Sequence, residues 1–170
     1  MHSLINRRAV VAGDPWVRLA GGVVDAGPGT DLLVPLRTWL DARCLLLDRC
    51  GRVGVQLEPG DDPVQLAGDV ERLSLVAVHF PALTDGRGFS IGRLLRQRHG
   101  YRGELRATGP LTRDALFYLA RCGFDSFELR EGEDPVAALS ELDAFEAVYQ
   151  GAVDRGAPFD RRAAAVADAA

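Results

Sequence analysis

The chain has 170 residues, 24 acidic against 20 basic side chains, and a formal net charge of −4. It is 47% hydrophobic and 26% charged, the balance of one globular domain with a sizeable core. No run of ~18 apolar residues is present to cross a membrane, and the mild acidity speaks against a general nucleic-acid binder.

In chain order, Trp16 to Leu19 reads as an edge strand or hairpin arm, and Gly27-Pro28-Gly29-Thr30 as a turn. Leu32 to Leu47 carries Leu33, Leu36, Trp39, Leu40 and Leu47 at helical spacing, with Pro35 in the first turn. Val53 to Leu57 reads as a strand and Glu58 to Pro63 as a loop. Leu73 to Phe80 is a nearly continuous apolar run, the mark of a parallel strand buried on both faces. Pro81 to Gly88 is a Gly-rich loop, and Ser90 is an N-cap for a helix on Ile91, Leu94 and Leu95 that ends at Gly100. Gly103 to Ala107 is the next strand. Pro110 then starts a helix on Leu111, Ala115, Leu116 and Leu119, which Gly123 stops. Ser126 to Arg130 is a further strand. Asp134-Pro135 opens a helix with Val136, Leu139, Leu142, Phe145 and Val148 on its core side.

The alternation predicts an α/β fold: a small parallel sheet of consecutive βα units, with helices mainly on one face. Residues 1–150 form the domain and residues 151–170 a mobile tail. Two strands, Gly103–Ala107 and Ser126–Arg130, alternate charged and apolar residues. Glu104 therefore shares one face with Arg106, and Glu128 with Arg130. That face is solvent-exposed, paired across strands, covered by the N-terminal third, or part of a site. A half-barrel completed by a second copy would also cover it, which points to a homodimer.

All 20 basic residues are Arg. This excludes a Schiff-base lysine and the lysine of a phosphate-binding P-loop, and leaves anions to Arg forks, backbone N–H groups and helix ends. Cys44, Cys50 and Cys122 are odd in number, and no export signal opens the chain. We therefore expect free thiols in the cytoplasm. The cysteine spacing fits no common zinc or iron–sulfur site, and His2, His79 and His99 are too scattered to complete one, so no metal is expected.

Parallel sheets bind ligands beyond the carboxyl ends of their strands. Here that edge carries His79 and the loop Thr84-Asp85-Gly86-Arg87-Gly88-Phe89-Ser90, then Arg106, Thr108 and Gly109, then Glu128 and Arg130. Gly86, Arg87, Gly88 and Ser90, with Arg106, make a seat for a small anion or nucleotide. Asp85 and His79 are the acid–base candidates if there is catalysis. The plainer reading is a tight turn in which Asp85 caps its own backbone, with His79 as a core histidine. Cys122, at a helix C-terminus, reads as packed and inert.

One stretch is more specific than the loop alone. Phe80-Pro81, Thr84 to Ser90, Arg93 to Arg96, Gly100-Tyr101, Gly103 to Ala107, Leu119 to Asp125 and Phe127 together resemble domain-of-unknown-function family 934. The resemblance extends faintly to Leu33 to Leu36. Members of that family are commonly labelled as oxidoreductases tied to sulfite reduction. The resemblance therefore implies a place in sulfur metabolism, with sulfite or nitrite reductase as partner. Pro110, Ala115 and Gly92 depart from the family pattern. No nicotinamide, flavin, haem or cluster motif is present, so no cofactor is expected. An accessory role in assimilatory sulfite reduction follows. The alternative is a small α/β enzyme acting on a phosphorylated or sulfated metabolite.

Overall fold

The computed structural model describes residues 3–19, 27–142 and 151–153. Eight strands form one sheet: β1 (Ser3–Asn6), β2 (Val10–Val11), β3 (Trp16–Arg18), β4 (Asp31–Pro35), β5 (Val53–Leu57), β6 (Leu75–His79), β7 (Glu104–Leu111) and β8 (Ser126–Leu129). Four helices accompany them: α1 (Leu36–Asp48), α2 (Arg87–Gln97), α3 (Arg113–Arg121) and α4 (Pro135–Leu142). The strand order is β2-β1-β8-β7-β6-β5-β4-β3. The six strands from β3 to β8 are parallel and consecutive. β1 runs antiparallel to both β8 and β2, so the sheet is mixed and not the purely parallel sheet expected. The N-terminal Leu4 and Ile5 lie in too short a run to read as a strand. They become one by pairing with Glu128 and Phe127.

Strand periodicity sorts the side chains into two faces. Leu32, Val34, Val55, Val76, Val78, Leu105, Ala107, Phe127 and Leu129 form one core with Trp39, Leu95, Leu116, Leu119 and Ala138 of the helices. All four helices thus cover one face. The other face carries a smaller cluster, Trp16, Leu33, Leu75 and Ala77, and the charged row of β7 and β8.

The edge strands β2 and β3 are joined by residues 12–15 alone, so the two edges of an eight-stranded sheet stand within ~18 Å of each other. The sheet must curl, and it does so into a half-barrel with the helices outside. Arg18 of β3 reaches across the concave face to Glu128 of β8. Arg106 of β7 is met there by Asp14, 2.7 Å away. The charged face is therefore covered by the N-terminal third and paired within the same chain.

Three expected boundaries move. Leu32 to Val34 belong to β4, and α1 begins at Leu36 with Pro35 as its extended N-cap (φ −60, ψ 151). Proline's missing N–H costs nothing there, and the apolar run before it suits a strand buried on both faces. Leu40 and Leu94, expected on core faces, are 45% and 39% exposed. β7 continues through Pro110 to Leu111, and α3 starts at Arg113. The extension follows from a bulge between Ala107 and Leu111. Gly109 (φ +117) turns the chain where a Cβ would strike the Phe80 carbonyl. Phe145, Val148 and the expected tail beyond Val153 lie outside the described residues.

Candidate functional site

β6 ends at His79, and the chain turns through Pro81–Gly86 into α2. The turn is organised by Asp85. Its Oδ1 accepts the Arg87 backbone N–H at 3.1 Å and Arg87 Nε at 3.0 Å, while Oδ2 accepts Arg87 Nη2 at 2.7 Å. Asp85 therefore closes the start of α2, and Ser90, expected as the N-cap, lies inside the first turn. The Arg87 guanidinium and backbone N–H hold the Asp85 carboxyl below its ordinary range.

Gly86 and Gly88, the two glycines at the start of α2, differ in their surroundings. Gly86 has an ordinary φ of −68 with open space where a side chain would go. Gly88 lies flat on the Phe80 ring, where a Cβ would approach to 2.5 Å. Gly92, one turn on, does the same on Phe124. The two glycines bring α2 down onto two rings, which is why Gly92 stands where a better helix former would be usual. Phe80 in turn meets Phe89 edge-on at 5.0 Å, and Phe89 lies 5.0 Å from Tyr118, which is 59% exposed. Beside the Asp85–Arg87 pair the protein thus presents an aromatic step that ends in solvent.

His79 is half-buried at the mouth of the half-barrel, with Nδ1 3.4 Å from Thr108 Oγ1. Arg106 lies deeper on the concave face and is 2% exposed. Its Nε and Nη2 bond Glu104 Oε1 at 3.0 and 2.9 Å, and Nη1 bonds Asp14. Ser126 Oγ donates to the same Glu104 oxygen at 2.6 Å. Glu104 is the first residue of β7 and Asp14 precedes β3, so this network faces the amino ends of the strands. There it lines a cavity of about 340 Å³ with Trp16 and Arg52. Asp85 and Gly86 precede α2, Arg87, Gly88 and Ser90 lie in its first turn, and Arg106 does not join them.

The profile of a bacterial protein family of unknown function, DUF934, matches residues 54–159. The chain belongs to the DUF934 family. No curated protein matches it. In this DUF934 protein the match takes in β5 through α4, including the loop, His79 and Arg106. It leaves out Asp14, Trp16 and Arg18, the residues that close the half-barrel. Sequence reasoning missed those three as partners, since Asp14 and Arg106 stand 92 positions apart and Arg18 and Glu128 stand 110 apart. The charge alternation in β7 and β8 was the available signal, and it did not name the partners. Cys44 and Cys50 are exposed and Cys122 half-buried, and none of the three is in a disulfide with another described residue. Among the described residues no three His, Cys, Asp or Glu side chains stand together as metal ligands, and no helix is long and apolar enough to cross a membrane.

Proposed function

We propose that this DUF934 protein is an accessory protein of assimilatory sulfite reduction in the cytoplasm, docking on the sulfite or nitrite reductase through the loop after β6. The setting comes from the family resemblance carried by Phe80 to Phe127. The observation that favours docking over catalysis is the state of the charges. Asp85 is taken by Arg87, Glu128 by Arg18, and Arg106 by Glu104 and Asp14. A catalytic centre keeps reactive groups aimed into a cleft. Here the start of α2 instead offers an exposed arginine, Arg87 at 65%, beside an exposed tyrosine of α3, Tyr118, backed by Phe89. Arg and Tyr over a rigid aromatic base are the residues that dominate protein interfaces.

The test is growth of a deletion strain on sulfate, sulfite or sulfide as sole sulfur source. We expect growth on sulfide alone. Wild-type protein should restore the rest, and the Arg87→Ala/Tyr118→Ala double variant should not, although it folds. Normal growth of the deletion strain on all three sources would sink the reading. The second reading, an enzyme on a phosphorylated or sulfated metabolite, is favoured by His79 beside Thr108 at the mouth of the half-barrel. Under it, His79→Ala alone would abolish complementation with Arg87 and Tyr118 dispensable.

A further inference from the structure

A different group of charges lies where α2 and α3 return to the sheet. Arg7 follows β1, Arg96 is in the last turn of α2, and Arg102 is in the link to β7. The three line a cavity of about 410 Å³ with Gly100, Tyr101 and Asp125. Three guanidinium groups face one carboxylate.

Their donors are not equally committed. Arg96 is spent on the fold: Nε bonds Gly123 O at 2.9 Å, Nη1 bonds Tyr101 O and Gly103 O at 2.7 and 2.9 Å, and Nη2 bonds Asp125. Arg7 gives Nε to Phe124 O at 2.9 Å and Nη2 to Ala120 O at 2.6 Å. These bonds satisfy carbonyls at and just beyond the end of α3, an ordinary use of arginine, and they hold both side chains in place. Arg7 Nη1 and the whole Arg102 guanidinium have no partner among the described residues. Arg102 and Gly100 also line an adjoining cavity of about 300 Å³, whose other walls include Val70, Leu73 and Glu71. Arg102 therefore stands on the ridge between a basic cavity and a more apolar one with an acceptor at its edge.

We propose that this double cavity binds a phosphorylated or sulfated metabolite. The anionic group sits between Arg102 and Arg7 Nη1, with the pinned Arg96 as fixed charge, and the body of the ligand lies over Val70 and Leu73 with a hydroxyl toward Glu71. Arg7, already held at two of its nitrogens, loses little freedom when it closes on an oxyanion. The volume suits a small organic ligand, and a bare oxyanion would leave most of it empty. The proposal does not rest on the loop after β6.

The test is calorimetric titration of the full chain with ribose 5-phosphate, inorganic phosphate and inorganic sulfate. We expect ribose 5-phosphate to bind more tightly than either inorganic ion. Arg102→Ala should weaken it about tenfold or more, the worth of one charged hydrogen-bonding fork, with the unliganded melting temperature unchanged. Arg102→Lys should fall between the two, and Arg87→Ala should bind like wild type. The proposal is overturned if none of the three probes binds at millimolar concentration, if Arg102→Ala binds as well as wild type, or if Arg87→Ala loses the ligand instead.

Discussion

Gly88 and Gly92 stand one helical turn apart on α2, each against an aromatic ring, and Gly86 stands just before them in open space. The three invite opposite results from one substitution. An alanine usually stabilises a helix by about 1 kcal/mol over glycine, but at 92 its Cβ would lie 2.5 Å from the Phe124 ring. Gly92→Ala should destabilise the protein by about 1–3 kcal/mol through overpacking. Gly86→Ala should be neutral or stabilising by up to about 1 kcal/mol, because φ −68 suits any residue there. Chemical denaturation of the two variants decides it; a stabilised Gly92→Ala would mean that α2 does not sit on Phe124. The sequence marked Gly86 and Gly88 as a loop signal because a Gly-rich stretch looks the same whether its glycines free a backbone or admit a ring. Asp85 was legible as a self-capping residue, since its reach to Arg87 is local.

Elements were easier to read than their ends. The strands at Leu75–His79, Glu104–Leu111 and Ser126–Leu129 and the helices after them follow from local period and composition. The errors at Pro35 and Pro110 share a cause: each residue suits a helix start, and strand pairing claimed it instead, whereas Ser90 yields the helix start to the local Asp85 turn. Element ends also set the pH response. Asp31, Asp85 and Asp114 are each held below the ordinary carboxylate range: Asp31 by Arg52, Asp85 by Arg87, and Asp114 by the Thr112 hydroxyl and backbone N–H. With folded values under the unfolded ones, their stabilisation is present above about pH 4 and is lost as pH falls through the folded values. Burial pushes Tyr101, where α2 gives way to β7, the other way. Its contribution is intact below about pH 10 and is lost as pH rises beyond that. Urea midpoints against pH should therefore drop at both ends. Tyr101→Phe should flatten the alkaline limb and Asp85→Asn/Asp114→Asn the acid one; unchanged limbs in these variants would refute the assignment.

At the scale of the molecule, the half-barrel is held across its concave face by ion pairs that join the two ends of the sheet order. Arg106 is the most buried charge in that arrangement. Arg106→Met keeps the bulk but strands Glu104 and Asp14, and should cost about 2–3 kcal/mol, below the value for a fully buried pair because both carboxylates are about one-third exposed. The triple variant Arg106→Met/Glu104→Gln/Asp14→Asn should recover most of that loss. If it does not, the network holds the curl by more than charge balance. The half-barrel and a cover from the N-terminal third were among the readings the sequence allowed, but the pairs that make the closure were not legible. The alternation in β7 and β8 showed that a charged face exists, while its cover arrives from more than ninety positions away. The same holds for the cavity under Arg102, whose walls come from the residue after β1, α2 and the turns before β7 and β8.

The pairing of the first strand with the last also bears on synthesis. On the ribosome the parallel strands can join in the order in which they are made, each to the one before it. Ile5 has no such option, since its place in the sheet is opposite Phe127. At translation speeds of about 5–20 residues per second, the N-terminal hairpin waits ~6–24 s for β8 to emerge. During that interval Leu4 and Ile5 are paired only with Val11 and Val10, and the edge of β1 that takes β8 stands open. The nascent chain thus carries its main aggregation hazard at the end that appears first, and a chaperone that acts early would shield it most.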